Sequence, residues 1–406
     1  MRRIAIALFF LAAATGWAAE ELPRFFVERI DVQNAHHVSR DVIIAESRLR
    51  EGHDYTESEL REAADRLLRA PYLLSADFSL LKGSERGRYV LVISVNETKP
   101  FFYQLGAVFI APRSPHAHVD TTDLTVASEN EIAAGYRVFV GRRGEIHFGI
   151  EGASDNRSYT TDYTTYVAGY TQYDIFGSRA FVTLNLTKPT GQFTGHASIE
   201  PQFAAGIPLS INQTLTIEFD PTDIDRSTQR ASQRIATVRW SYNTTNHPLL
   251  PTRGTYVSIA PTAVWHDASG IDFLNTPYLT HDHSFGLDAS ATRWWEFGDR
   301  NSAGAGIAAG IAEIHESGIR DLIALNGSKT GMSSYATVDL TFSHSFWPAE
   351  RIAAHGDSRL QLDIRGGPRT NRFDVIRADT HVRQVSLSWV RRNSWGLLRI
   401  GAGFAW

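Results

Sequence analysis

The sequence predicts a mainly β protein: a transmembrane antiparallel β-barrel of about sixteen strands, preceded by one small α+β domain. Three observations predict it. From Phe101 onward apolar and polar residues alternate with a period of two, and no helical period persists. Aromatic residues gather near the ends of the alternating segments. The connections between segments alternate between short and long.

Composition narrows the class. The chain has 406 residues, a formal net charge of −4 and no cysteine. That removes disulfides, Cys-ligated zinc, iron–sulfur clusters and thiol catalysis together. No long run of Lys or Arg is present, which disfavours a nucleic-acid partner. Only the extreme N-terminus is continuously apolar, so a polytopic helical membrane protein is excluded. A membrane barrel is not excluded, because its strands carry apolar residues only at every second position.

The first element is an address. Arg2 and Arg3 precede an apolar run from Ile4 to Ala14, and Gly16 and Ala18 stand where a signal peptidase reads small residues. Residues 1–19 are therefore assigned as a secretory signal peptide. A domain over 20–99 follows. Residues 25–32 alternate as a strand. Val42, Ile43, Ala45 and Leu49 lie at helical spacing in 40–50, and Gly52 ends that segment. Thr56 and Glu59 form a capping box, in which each side chain takes the other residue's amide proton. The helix it opens carries Leu60, Ala63, Ala64, Leu67 and Leu68 on one face and ends at Ala70-Pro71. Residues 72–82 and 88–96 read as two strands around Gly83 and Gly87. The predicted order is β-α-α-β-β, with two helices on one small sheet.

The barrel is assigned to 100–406. In 144–152, Ile146, Phe148 and Ile150 oppose Glu145, His147 and Glu151. In 333–347, Ala336, Val338, Leu340 and Phe342 oppose Thr337, Asp339 and Thr341. A soluble sandwich would share this period. Segments of about 9–13 residues match a tilted membrane span. Aromatics stand at segment ends, as at Tyr170, Trp265, Trp294, Trp295 and Trp347. Short connections such as 141–144 and 174–178 alternate with long ones such as 112–130, 220–231 and 315–332. These features favour the membrane barrel. Fifteen segments can be drawn between 101–111 and 394–406. A barrel with both ends on one side of the membrane needs an even number, and the chain length favours sixteen.

Few residues carry chemistry. His281 and His283 share a strand face at a spacing that could hold a metal, but no third ligand is identifiable, so no metal and no cofactor is assigned. The zinc-protease, nucleophile-elbow and phosphate-loop motifs are absent, and the chain is not read as an enzyme. The Gly-rich run 304–310 lies in an alternating strand, where it serves close packing or a bend.

Several positions together carry a resemblance. Ile30 and Val32, Gly52 with Tyr55, Leu60, Ala64 and Leu67, Tyr72, and Val95 with Glu97 are placed as in a POTRA domain, the periplasmic module of outer-membrane assembly proteins. Asn34-Ala35 departs from that family's usual first-turn glycine. The whole mature chain resembles the BamA/TamA superfamily, also called the bacterial surface antigen family. The join Thr98-Lys99-Pro100, the segment PLLPTRGTYVSI (248–259), IRDL (319–322) and LQLDIRGG (360–367) carry that likeness. The alternating last strand, with Leu398, Ile400, Ala402, Phe404 and Trp406 on one face, resembles the sorting signal of outer-membrane barrels, of which Phe404 and Trp406 are the key residues.

The resemblance implies an inward-folded loop in which Arg320, after Ile319, meets an inward carboxylate. Asp363 is the implied partner, and Asp339 also points inward by alternation. An unpaired lumenal arginine would be costly, and a carboxylate can grip it with two hydrogen bonds. Asp321 and Leu322 depart from the family's Gly and aromatic. The resemblance further implies the outer membrane of a Gram-negative bacterium, a periplasmic POTRA domain, and assistance to polypeptide insertion or translocation. The partners would be outer-membrane lipids and unfolded outer-membrane or secreted polypeptide clients, with room for periplasmic or lipoprotein partners. Insertion would use the seam between the first and last barrel strands, where Gly401 and Gly403 lack side chains to lock closure. The alternative, from another class, is a passive channel or surface barrel with the POTRA domain as a tether.

Overall fold

In a computed structural model, the described residues are 23–112, 127–155, 163–191, 199–226, 229–247, 250–271, 277–315, 330–348, 351–352, 356–372 and 377–405. The signal-peptide assignment lies outside them.

The small domain runs β1 (Arg24–Gln33), α1 (Arg40–Ser47), β2 (His53–Thr56), α2 (Glu57–Leu68), β3 (Leu73–Lys82) and β4 (Arg88–Glu97). Its sheet order is β2-β1-β4-β3, with β1 and β4 parallel. Val27, Ile30, Ile43, Leu67, Leu91 and Ile93 are fully buried between the helices and the sheet. The capping box forms: Thr56 Oγ1 accepts from Glu59 N (3.2 Å), and Glu59 Oε2 accepts from Thr56 N (2.7 Å). The structure corrects the predicted element order by adding β2, which pairs with β1 through Phe25 and Tyr55. Four residues are too few to show a period. Burial of the Tyr55 ring and the hydrogen bond from Arg50 N to its hydroxyl (2.7 Å) hold the strand in place.

Fifteen strands close the barrel. They are β5 (Phe101–Pro112), β6 (Ala127–Val140), β7 (Gly144–Asp155), β8 (Tyr163–Gln172), β9 (Phe181–Gly191), β10 (Glu200–Pro208), β11 (Gln213–Arg226) and β12 (Gln229–Asn243). Then come β13 (Gly254–Ile271), β14 (Pro277–Phe297), β15 (Asn301–His315), β16 (Thr330–Ser345), β17 (Ser358–Arg372), β18 (Arg377–Asn393) and β19 (Gly396–Ala405). Consecutive strands pair antiparallel, and β19 closes on β5 in parallel. The expected sixteen is thereby corrected. The fifteen segments were real, and the parallel closure removes the need for an even number.

The two faces separate as alternation demands. Ile146, Phe148, Leu184, Leu186, Ile217, Val338, Phe342 and Ile400 are exposed on the outside. A continuous exposed apolar surface of this kind is unstable in water and marks a lipid-facing wall. No helix among the described residues is long and apolar enough to cross a membrane. One expected long connection is corrected. Residues 220–231 are mostly strand, because β11 and β12 stay paired out to Arg226 and Gln229. There the outward positions lose their apolar character (Asp223 opposite Ser232), so the period fades while the backbone ladder continues.

Candidate functional site

The small domain sits across one mouth of the barrel, and the rim it meets is called the near rim. Local backbone geometry aims its side chains there. Helix α1 ends at Arg48 in the left-handed region (φ 60°). An L-residue pays about 1–2 kcal/mol for this conformation, and here it turns the guanidinium onto the β10–β11 turn. Arg48 donates to the carbonyl oxygens of Ser210, Ile211 (3.1 Å) and Gln213 (2.6 Å) and to Thr214 Oγ1. Around the rim, Arg142 pairs with Asp41 (2.7 Å), Arg179 donates to Leu49 O (2.7 Å), Arg253 pairs with Asp65 (2.7 Å) and Arg392 donates to Leu73 O (2.7 Å). Arg69 donates to Thr245 O. Contacts on opposite sides of the rim make the domain a cap.

The cap is held by polar groups at a cost. Burial, with the neighbouring Arg66 charge second, pushes the guanidinium groups of Arg48 and Arg69 down to about 9. Arg69 Nη2, Tyr72 Oη, Arg179 Nε and Asn212 Oδ1 are buried with no hydrogen-bond partner, and all four lie in this interface. Each such atom costs about 1–3 kcal/mol. Apolar packing adds to these contacts, since Phe139, Tyr173 and Ile211 of the barrel lie against the small domain's core.

Tyr72 is buried against the barrel. Its ring meets Phe139 edge-on at 5.1 Å, and the Arg137 guanidinium lies 5.8 Å from its centroid and 5.0 Å from that of Phe102. Arg137 Nε donates to Glu145 Oε1 (2.8 Å), and Tyr173 Oη donates to Glu145 Oε2 (2.7 Å). The Arg137 and Glu145 side chains are 11% and 7% exposed. Arg137→Ala is expected to destabilise the protein by about 3–5 kcal/mol, because it strands a buried carboxylate. Thermal unfolding followed by heat-modified electrophoretic mobility reads this.

Beside the cap lies a cavity of about 420 Å³, lined by Leu74 and Asp77 of β3 and by His247, Arg359 and Arg392 of the barrel. Burial holds His247 well below its ordinary value of 6.5, and Arg392 and Arg359 add to the shift. Leu250 N donates to His247 Nδ1 (2.9 Å), which fits the neutral ring. A base whose pKa falls on folding protonates first in the open or unfolded state. Stability is therefore complete above pH 6.5 and declines below it, by about 1.4 kcal/mol per pH unit. His247→Gln is expected to flatten that acid slope, read as melting temperature against pH.

The lumen is polar. Asp363 accepts from Arg399 Nη2 (2.8 Å) and Thr341 Oγ1 (2.9 Å), and Asp339 pairs with Arg365 (2.5 Å). Both carboxylates face the lumen as alternation requires, and each already holds a strand arginine. Ile319 and Arg320 lie outside the described residues, as does Trp406. Phe404 faces outward and is 59% exposed. His281 pairs with Asp267 (2.6 Å) and His283 packs on Phe285, and the described residues contain no cluster of three metal-ligating side chains.

The seam has its own geometry. Ten residue pairs join β19 to β5, from Gly396↔Tyr103 to Ala405↔Pro112. Tyr103 N donates to Trp395 O (2.9 Å), and Lys99 N donates to Ser394 O (2.6 Å). Gly401 and Gly403 face the lumen, and a Cβ on either would strike β18, at 2.7 Å from Ser388 Cβ and at 2.3 Å from Val385 O. Their bareness accommodates the neighbour on the other side of β19.

Sequence reasoning missed Arg48, Arg69, Arg179 and Arg253, and it named Tyr72 only as a position of the small domain, without its contact to the barrel. Arginine carries no periodic signal, and most of these residues meet partners more than a hundred positions away. Arg253 stood inside 248–259 and Arg48 inside the helical segment 40–50, but neither was singled out as a contact residue.

No protein-family model matches the chain, and no curated protein matches it. Among solved structures it matches the crystal structure of BamA from Haemophilus ducreyi lacking POTRA domains 1–3. The identity is 12%, over 94% of this chain and 85% of that one, with a TM-score of 0.33. A likeness that loose bears on neither mechanism nor partners. The chain's own geometry establishes a fifteen-stranded barrel with an exposed apolar outer wall, one mouth of which is covered by a small α+β domain.

Proposed function

We propose that this is an outer-membrane β-barrel protein whose small domain is a periplasmic POTRA domain, and that it assists insertion or translocation of polypeptides. The linker 98–100 supports this reading most. Thr98 N donates to Tyr72 O (3.0 Å) in the cap, and Lys99 N donates to Ser394 O (2.6 Å) beside the seam. Three residues without slack thus tie the cap to both seam strands. Displacing the cap, as an incoming chain must, pulls on the barrel's closure, where strand edges would open for pairing. Photoreactive residues in β5 and in 88–96, placed in intact envelopes, test it. Adducts to nascent barrel or secreted polypeptides support the reading. Adducts only to lipid or to one fixed envelope partner overturn it.

The polar lumen favours a second reading, a passive channel tethered by the same domain. It predicts large steady currents in planar bilayers. A capped assembly machine predicts small and unstable ones.

A further inference from the structure

The outer wall holds one feature that neither the cap nor the seam uses. On β12, β13 and β14 the outward apolar runs stop in register. On β12 the run Trp240, Val238 and Ala236 gives way to Arg234. On β13 it ends at Trp265, and on β14 the run from Ala291 to Phe285 gives way to His283. Strand register sets the three end residues side by side, because Arg234 pairs with Trp265 and Trp265 with His283. Arg234 and His283 are exposed, and Trp265 is 46% exposed.

Height decides what this row meets. On β14 the near-rim belt is marked by Trp295, with Arg293 stacked on it at 5.7 Å. From Trp295 to His283 the strand advances about 40 Å at roughly 3.4 Å per residue. At a tilt near 40° that is about 30 Å along the barrel axis, just beyond an apolar band about 25 Å tall. His283 therefore reaches the headgroup level of the far leaflet, and the same tilt, with strands about 4.8 Å apart, offsets Trp265 and Arg234 from it by about 3 and 6 Å along the axis.

Its chemistry is selective. The cross-strand neighbours of Arg234 are Pro221 and Trp265, so no carboxylate stands opposite it. Two acids, Asp223 and Asp267, flank Ser232 one step further out, and Asp267 is engaged by His281 at 2.6 Å. Strands about 4.8 Å apart put Arg234 and His283 roughly 10 Å apart across the Trp265 ring. That spacing admits a phosphate between a guanidinium fork and an imidazole N–H, with the indole against the first acyl carbons. We propose that Arg234, Trp265 and His283 form a binding site for the phosphate headgroup of a membrane lipid.

Native mass spectrometry of the full chain in detergent tests this, with phosphatidylglycerol and diacylglycerol as probes and inorganic phosphate as competitor. The expected result is one retained phosphatidylglycerol, favoured at least tenfold over diacylglycerol. Arg234→Gln with His283→Gln should abolish that preference, and Arg234→Lys should keep most of it. Unchanged heat-modified mobility verifies that the variants are folded. Equal retention of diacylglycerol, or full retention by the double variant, overturns the site. Displacement by millimolar inorganic phosphate would make it a free-anion site and overturn the lipid assignment.

Discussion

Gly396→Ala is expected to prevent the barrel from closing. Gly396 starts β19 opposite Tyr103, and a Cβ built there would lie 1.8 Å from the Tyr103 carbonyl oxygen. That oxygen is backbone of the partner strand and cannot rotate away. Either β19 separates from β5 at its near end, or the parallel register shifts. A one-residue shift would turn Ile400 and Phe404 from lipid into the lumen. Overpacking against a fixed backbone costs about 1–3 kcal/mol even where neighbours can yield, and here they cannot. The expected outcome is loss of the heat-modifiable folded band and protease sensitivity at β5 and β19. Gly298→Ala is the matched control. Gly298 also has positive φ (66°), but a Cβ there meets nothing within 4 Å. It should cost only about 1–2 kcal/mol of backbone strain and leave the folded band intact. Equal behaviour of the two variants would contradict the tight parallel seam.

Arg48→Ala is expected to release the cap. Arg48 is the single side chain with the most bonds across the interface, four acceptors on one rim turn. Hydrogen bonds from a charged donor contribute about 1.5–3 kcal/mol each, and those sharing one guanidinium are far from additive. The relief of desolvation and backbone strain offsets part of the loss. A net change of about 3 kcal/mol shifts the docked-to-undocked ratio on the order of a hundredfold. In planar bilayers the wild-type chain should give small, flickering currents, and the variant should dwell in a high-conductance state. Arg61→Ala, which loses only the exposed pair with Glu57, should not change the record. A wild-type chain that already conducts steadily would show that the cap does not obstruct the lumen, and would favour the tethered-channel reading.

Both expectations rest on residues that differ in how legible they were. The strand segments could be read because a wall between lipid and a polar lumen imposes period two on every strand. Ile146 against His147 and Val338 against Asp339 state that wall in one dimension. The helix α2 could be read because its capping box and apolar face are local. Where the environment stops being two-sided, the pattern stops too. Residues 220–226 and 229–231 are strand beyond the apolar band, and β2 is too short to show a period. Asp363 and Asp339 were legible as inward carboxylates. That Arg399 and Arg365 hold them was not, since each pair joins residues 26 or more positions apart in sequence.

The two-part architecture, the positions of the barrel segments though not the final strand count, the faces of their side chains and the small domain's helices could be read along the chain. Each of these follows from local chemistry repeated along the chain. Tertiary structure alone decided three things. The first and last strands pair in parallel, because closure depends on the angle and stagger summed over all fifteen strands. The small domain covers the mouth, because arginines with no local pattern find carbonyl oxygens on distant turns. Arg234, Trp265 and His283 form one row, because register between three strands, and no spacing along any one of them, brings them side by side.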